Sequence, residues 1–285
     1  MPMIPIPGFS EPFSCWSHFI PAALSAVGLY FLLQRGKGSK GRISSLIIFS
    51  FSLVFLFSMS GVYHLLEPGG VPRAVFQKLD HAAIWVLIAG TFTPIHAILF
   101  RGAWRWGILM LVWFIAITGL VLEVVFFSSI PEWMTLSFFL GLGWIGVISG
   151  WKFKKIFGDD SSRLLLLGGI FYSIGAVMEF LRWPDLIPGI IGPHEVFHIF
   201  VIGGALSHWL FVYRWAAHPI RNTITFHIKV FPENKYFAKA IGESLELEAS
   251  SLEDLREDIK TEVDVSFHKS LRPKIHLKYF NEEIL

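Results

Sequence analysis

Two short stretches, SMSGVYHLL and GPHEVFHIF, put polar side chains inside strongly apolar runs. The first holds Ser60 and His64, the second His194 and His198. On a helix, residues four apart lie about 40° apart around the axis, one above the other. Ser60 and His64 therefore share one helix face, and His194 and His198 share another. Neutral imidazole nitrogen is a ligand for zinc, and three protein ligands with a fourth position left open is the arrangement of a catalytic zinc site. Zinc in such a site lowers the pKa of its water to about 7. Asp80, in KLDHAAIW, is the carboxylate suited to take a proton from that water or to orient it. Ser60 is suited to hydrogen-bond a ligand, the water or a developing oxyanion.

Each of these residues also has a plain structural reading. A histidine near a span end sits readily at the membrane interface. A helical serine bonds back to a carbonyl one turn earlier, and an aspartate caps a helix. What joins the residues is the set of elements that must carry them. The chain has 285 residues, 53% of them hydrophobic, with 28 Phe and 11 Trp. Only 16% are charged, against an ordinary ~25%. A water-soluble domain of this size could not hide that much apolar surface. Seven stretches are apolar and long enough to cross a bilayer, at about 16–34, 43–66, 79–100, 104–127, 131–151, 163–181 and 195–216. Short polar segments rich in Gly and Pro separate them. The expected fold is an all-α membrane protein, a seven-transmembrane helix bundle over 16–217 after an N-terminal extension, 1–15. In any strictly alternating bundle the second span ends, and the third and seventh begin, on one side of the bilayer. His64, Asp80, His194 and His198 then occupy one layer.

A net charge of +2 gives no ground for a nucleic-acid partner, and the single cysteine, Cys15, excludes an internal disulfide and a thiolate metal cluster. Residues 1–15 contain no Lys or Arg, so they do not read as a secretory signal. Cytoplasmic loops carry the excess of Lys and Arg. Over residues 1–221 the first, third and fifth loops plus the end of the last span hold 12, and the opposite side holds 3. That bias puts the N-terminus outside and the C-terminus in the cytoplasm. Residues 222–285 are different material, with 9 Lys and Arg against 12 Asp and Glu. NTITFHIKV and YFAKAIG alternate like strands around a PENK turn, SSLEDLREDIKTEVDVSF reads as a capped helix, and KIHLKYF as a last strand. The expectation is a small soluble α+β module of order β-β-α-β, loosely similar in element order to the HicB-like antitoxin fold.

SGVYHLL, LDHAAIWVLIAGTFTP and GPHEVFHIFVIGGALSHW occur in this order with spans between them. Together they resemble the haemolysin III family, the bacterial branch of the progestin and adipoQ receptor superfamily, which groups with the alkaline ceramidases. The resemblance covers about residues 15–215. It implies seven membrane helices in a bacterial inner membrane and a zinc ion held by three histidines. Carried over by position, those are His64, His194 and His198, with Ser60 in the serine position and Asp80 near the zinc-bound water. In relatives with known activity, such a site hydrolyses the amide bond of a ceramide. The tail 222–285 lies outside the usual bacterial member, and its partner is open. Animal adiponectin receptors keep the N-terminus in the cytoplasm, with the zinc on that side, and the charge count here argues the reverse.

Three functions follow. The first is a zinc-dependent hydrolase of lipid amide or ester bonds acting on a membrane lipid. The second is a non-enzymatic lipid-sensing receptor or membrane regulator, with structural zinc. The third is a channel or cytolysin, for which the sequence offers no ring of charges to line a wide pore. Among other polar residues, His18 reads as interfacial, although the family often has a histidine there. His96, after Pro94, reads as interfacial too. His208 is expected to bond a neighbouring helix or to line a cavity. Glu179 and Arg182, three apart, are spaced to pair.

Overall fold

The computed structural model describes residues 4–218, 223–231, 235–241, 243–267 and 272–280. Among the described residues, seven helices are long and apolar enough to cross a membrane. They are α1 (Pro12–Gly36), α2 (Lys40–Leu65), α3 (Val71–Leu99), α4 (Ala103–Val125), α5 (Glu132–Phe157), α6 (Arg163–Phe180) and α7 (Pro193–Trp215). Each is apolar on most of its circumference, so the bundle has an inner and an outer apolar surface. Leu46, Phe49, Leu53 and Phe57 of α2 form the inner core with Ala83 and Leu87 of α3 and Phe211 of α7. On the outside, Met110 and Phe114 of α4 are 71% and 70% exposed, as lipid-facing side chains are.

The helices extend past the apolar runs at several ends. The third begins at Val71 rather than near 79, because Pro72 sits in its first turn and the polar segment RAVFQK simply continues the helix. The fifth runs on through WKFKKIF to Phe157, with Lys154 and Lys155 in its last turn, where cations suit the helix dipole. The strongest pairings are α1 with α2, α2 with α3, α6 with α7 and α3 with α4, while α5 packs more loosely. Close approach near the site depends on Gly61 of α2, where a Cβ would come within 2.7 Å of the Phe19 ring of α1.

Beyond the bundle lie β1 (Thr223–Phe231), β2 (Lys235–Ala240), β3 (Glu246–Ala249), α8 (Leu252–Ser266) and β4 (Lys274–Phe280). The order is thus β-β-β-α-β, which corrects the expected β-β-α-β by one strand. That strand, ELEA, is four residues long at the sheet edge and only partly buried, so it leaves little hydrophobic signal. The turn expected around Pro232–Asn234 lies outside the described residues. Strand order is β3-β2-β1-β4, with β4 parallel to β1, a pairing that needs a crossover, which α8 supplies. Leu255, Ile259 and Val263 of α8 are buried against Phe226, Ile228 and Ala238 of the sheet. Ser251 caps α8 by accepting a hydrogen bond from the Asp254 amide at 3.1 Å.

The module is docked to the turn between α1 and α2. Arg42 and Glu243 form an ion pair at 2.7 Å with side chains only 7% and 6% exposed. Gly38 takes φ +84°, and a Cβ there would lie 2.4 Å from the Ser244 amide nitrogen. Both features place the module at the end of the bundle opposite His64 and His194, which lie in the last turn of α2 and the first turn of α7.

Candidate metal centre

The end of α2 and the start of α7 meet at one end of the bundle, and α1 packs against both. Pro193 opens α7, and Glu195 in its first turn accepts a hydrogen bond from the Gly192 amide at 2.9 Å. The other carboxylate oxygen of Glu195, which is 3% exposed, accepts the Ser14 hydroxyl of α1. This pins α1 to the start of α7 and fixes the turn that carries His194 and His198.

The three imidazoles converge through their Nε2 atoms. His194 Nε2 lies 3.0 Å from His64 Nε2 and 3.0 Å from His198 Nε2. Each ring presents one ligand atom, and the three atoms all lie within 4.8 Å of one another. Two nitrogens bound at 2.0–2.1 Å to one tetrahedral ion stand roughly 3.3 Å apart, close to the separations found. The residues therefore fit a zinc ion.

The opposite ring edges are held by other residues. His64 Nδ1 bonds to Glu11, whose second carboxylate oxygen pairs with Arg73. Burial pushes the Glu11 carboxyl up, but hydrogen bonds and charge from His64 and Arg73 outweigh it and hold it down at about 2. Glu11 is thus an anion at neutral pH, and Nδ1 of His64 must donate to it. His194 Nδ1 faces Glu179 Oε1 at 3.4 Å, and Glu179 also pairs with Arg182. The Ser17 hydroxyl donates to the Ser14 carbonyl at 2.9 Å, so its oxygen is left to accept from His198 Nδ1 at 3.0 Å. With each Nδ1 carrying the proton of a neutral ring, all three Nε2 atoms offer lone pairs to one point. Such a convergence is repulsive without a cation and attractive with one. Holders of this kind orient metal-binding histidines and raise their basicity.

Ser60, 1% exposed, and Asp80 line the same cavity as the triad. That cavity has a volume of about 980 Å³ and runs between α3, α5, α6 and α7. Glu132 and Lys154, near opposite ends of α5, both line it. At 1.5 Å per residue they stand roughly 33 Å apart, about the depth of a bilayer core. Between them the wall is mostly apolar, built from residues such as Leu87, Phe92, Phe139 and Val147.

Other sequence expectations fare unevenly. His96 is fully buried rather than interfacial. Its Nδ1 donates to the Trp104 carbonyl at 2.6 Å and its Nε2 meets Ser149 Oγ at 3.0 Å, because the short α3–α4 turn folds Trp104 back over it. His18 is 3% exposed and packs beside the triad instead of at an interface. His208 lines the cavity and lies 3.1 Å from the Leu165 carbonyl. Glu11, Ser17 and Glu179 as ring holders had no motif to announce them.

One consequence concerns Glu11. Glu11→Gln keeps the shape but removes the charge that orients His64. Zinc affinity, measured by competition with a chelator of known strength, is expected to fall about 10- to 100-fold. Unchanged affinity would show that Arg73, not His64, is the partner that matters to Glu11.

Comparison with known proteins gives the family. A family model described as "Haemolysin-III related" matches residues 9–209. "Hemolysin-3" of Bacillus cereus is 31% identical over 191 residues, 66% of this chain and 84% of that protein. "Hemolysin-3 homolog" of Bacillus subtilis is 32% identical over 195 residues, 67% of this chain and 87% of that protein. The "Adiponectin receptor protein" of Drosophila melanogaster is more distant, 28% identical over 218 residues, 70% of this chain and 49% of that protein. The seven-helix bundle and its histidine cluster thus sit on a multi-pass membrane protein that belongs to the haemolysin III family.

Proposed function

We propose that the protein is a zinc-dependent hydrolase of amide or ester bonds in a membrane lipid. The observation that carries this reading is the convergence of three Nε2 lone pairs at the polar end of a long apolar cavity. His64, His194 and His198 would hold the zinc. When bound there, it supplies Lewis acidity and an activated water. The cavity takes an acyl chain, and the linkage to be cut lies at the histidine end. Water adds to the carbonyl carbon and the C–N or C–O bond breaks. Asp80 takes the proton released by the water and passes it to the departing nitrogen or oxygen. Ser60 directs its hydroxyl proton at the carbonyl oxygen as charge develops there.

The Lys and Arg bias, 12 against 3, favours an outer position for the site and a cytoplasmic C-terminal module in an inner membrane. The module, docked through Arg42 and Glu243, would then meet a protein partner in the cytoplasm. The alternative reading, a lipid receptor with structural zinc, rests on the same cavity and differs in needing a closed four-ligand site.

The test is turnover. Detergent-purified protein loaded with zinc is incubated with a fluorescent long-chain ceramide and, separately, with an ester lipid of the same acyl length. Release of labelled fatty acid from at least one is expected, lost on chelation and restored by added zinc. A zinc-loaded protein that cleaves neither removes the hydrolase reading and leaves the receptor.

A further inference from the structure

His18 is outside the converging triad but lies directly against it. Its ring stacks on that of His198, with centroids 3.6 Å apart and planes 13° apart, and meets the Phe57 ring at 5.2 Å and 67°. It is 3% exposed and lines the same cavity. Among the described residues, neither of its ring nitrogens has a hydrogen-bond partner. Buried polar groups are nearly always paired, and leaving one unpaired is costly. Leucine or phenylalanine would fill this slot without that cost. The stack on His198 occupies one ring face, and two unpartnered ring nitrogens on a residue that lines the cavity are what His18 has to offer a guest there. The metal cluster does not use those nitrogens, since the converging ligand atoms are those of the other three histidines.

We propose that His18 is a lipid-anchoring residue, one ring nitrogen donating a hydrogen bond to an oxygen of the polar linkage of a lipid seated in the cavity. A neutral imidazole always has one N–H to give. A lipid linkage carries a carbonyl oxygen, and in an N-acyl sphingoid lipid hydroxyl oxygens beside it. The stacked ring sets that donor next to the triad, so the bond fixes the linkage where attack occurs while the acyl chain fills the apolar length. This assignment rests on the hydrolase reading for the identity of the ligand but not for the fact of binding.

The full chain, purified in detergent, is compared with His18→Leu and His18→Gln. Zinc per chain is measured by mass spectrometry. Binding of a fluorescent long-chain ceramide is measured on chelated protein, where no turnover occurs, and KM and kcat on the zinc-loaded protein. His18→Leu is expected to keep its zinc while Kd and KM rise about tenfold, about 1.4 kcal/mol, with kcat falling less. His18→Gln, which keeps a donor at similar reach, recovers most of the loss. Unchanged Kd and KM in His18→Leu would overturn the assignment, as would a loss of zinc, which would make His18 a support of the metal site. If the wild-type protein binds the lipid without cleaving it and His18→Leu still binds weakly, the hydrolase reading falls and the anchor stands. If the wild-type protein neither binds nor cleaves, both fall.

Discussion

Changing His64, His194 and His198 together to alanine is expected to take zinc from about one ion per chain to essentially none, and to abolish lipid hydrolysis with it. The physical basis lies in the proton positions. Glu11, Glu179 and Ser17 each face an Nδ1, so the Nε2 lone pair of His194 meets those of His64 and His198 at 3.0 Å each. Without an ion, either the nitrogens repel or a ring must take up a second proton at 1–2% exposure, where charge is expensive, as it is for His64 and His198. One cation removes both problems. Structural zinc sites bind with roughly 10–16 kcal/mol at neutral pH, far above any hydrogen bond between two of these rings. Mass spectrometry on protein purified without added metal reads the result directly. Equal metal content in wild type and the triple variant would mean that the rings pack the bundle and hold no ion. A single change, His194→Ala, removes the nitrogen that touches both others and is expected to act nearly as strongly.

Much of this architecture is legible in the sequence because the bilayer imposes a simple rule. Every span must be about 20 apolar residues, so SSLIIFSFSLVFLFSM or GILMLVWFIAITGLVLEVV announces a helix without any periodicity. Strict alternation then puts the end of α2 and the starts of α3 and α7 on one side, and spacing of four puts His194 above His198. Less visible is what continues a helix into water, as RAVFQK does in α3, since a hydropathy signal stops where the helix does not. The ring holders were hidden for a different reason. Glu11 precedes the first span, Ser17 lies in α1 and Glu179 ends α6, and none is near its histidine in sequence. Only packing brings them together. The visible hint was a carboxylate at the correct end of its span, as Glu179 is, but its spacing to Arg182 accounted for it already. It pairs with both. His96 and His18 show the same limit: a histidine near a span end reads as interfacial until a neighbouring turn or helix covers it.

Asp80→Asn divides the two leading functions, because they give this residue different work. In the hydrolase it takes and returns a proton, and a positioned acid–base group is worth about 10²- to 10⁴-fold in rate. Asparagine has nearly the same size and cannot take that proton, so kcat is expected to fall by about that factor. Zinc should stay at one per chain, since the three imidazoles hold it without Asp80. In the receptor the zinc is structural and its site closed, so a fourth protein ligand is required. Asp80, on α3 and facing the same cavity, is then that ligand. The amide is a far poorer donor to zinc than the carboxylate, so zinc affinity itself should drop in Asp80→Asn. Measuring both quantities on one preparation separates the cases. Retained zinc with turnover reduced at least a hundredfold assigns Asp80 to proton transfer. Weakened zinc in a protein that never turned lipid over assigns it to the metal and the protein to sensing. The division works because, among the described residues, His64, His194 and His198 form the cluster without Asp80, which lines the same cavity.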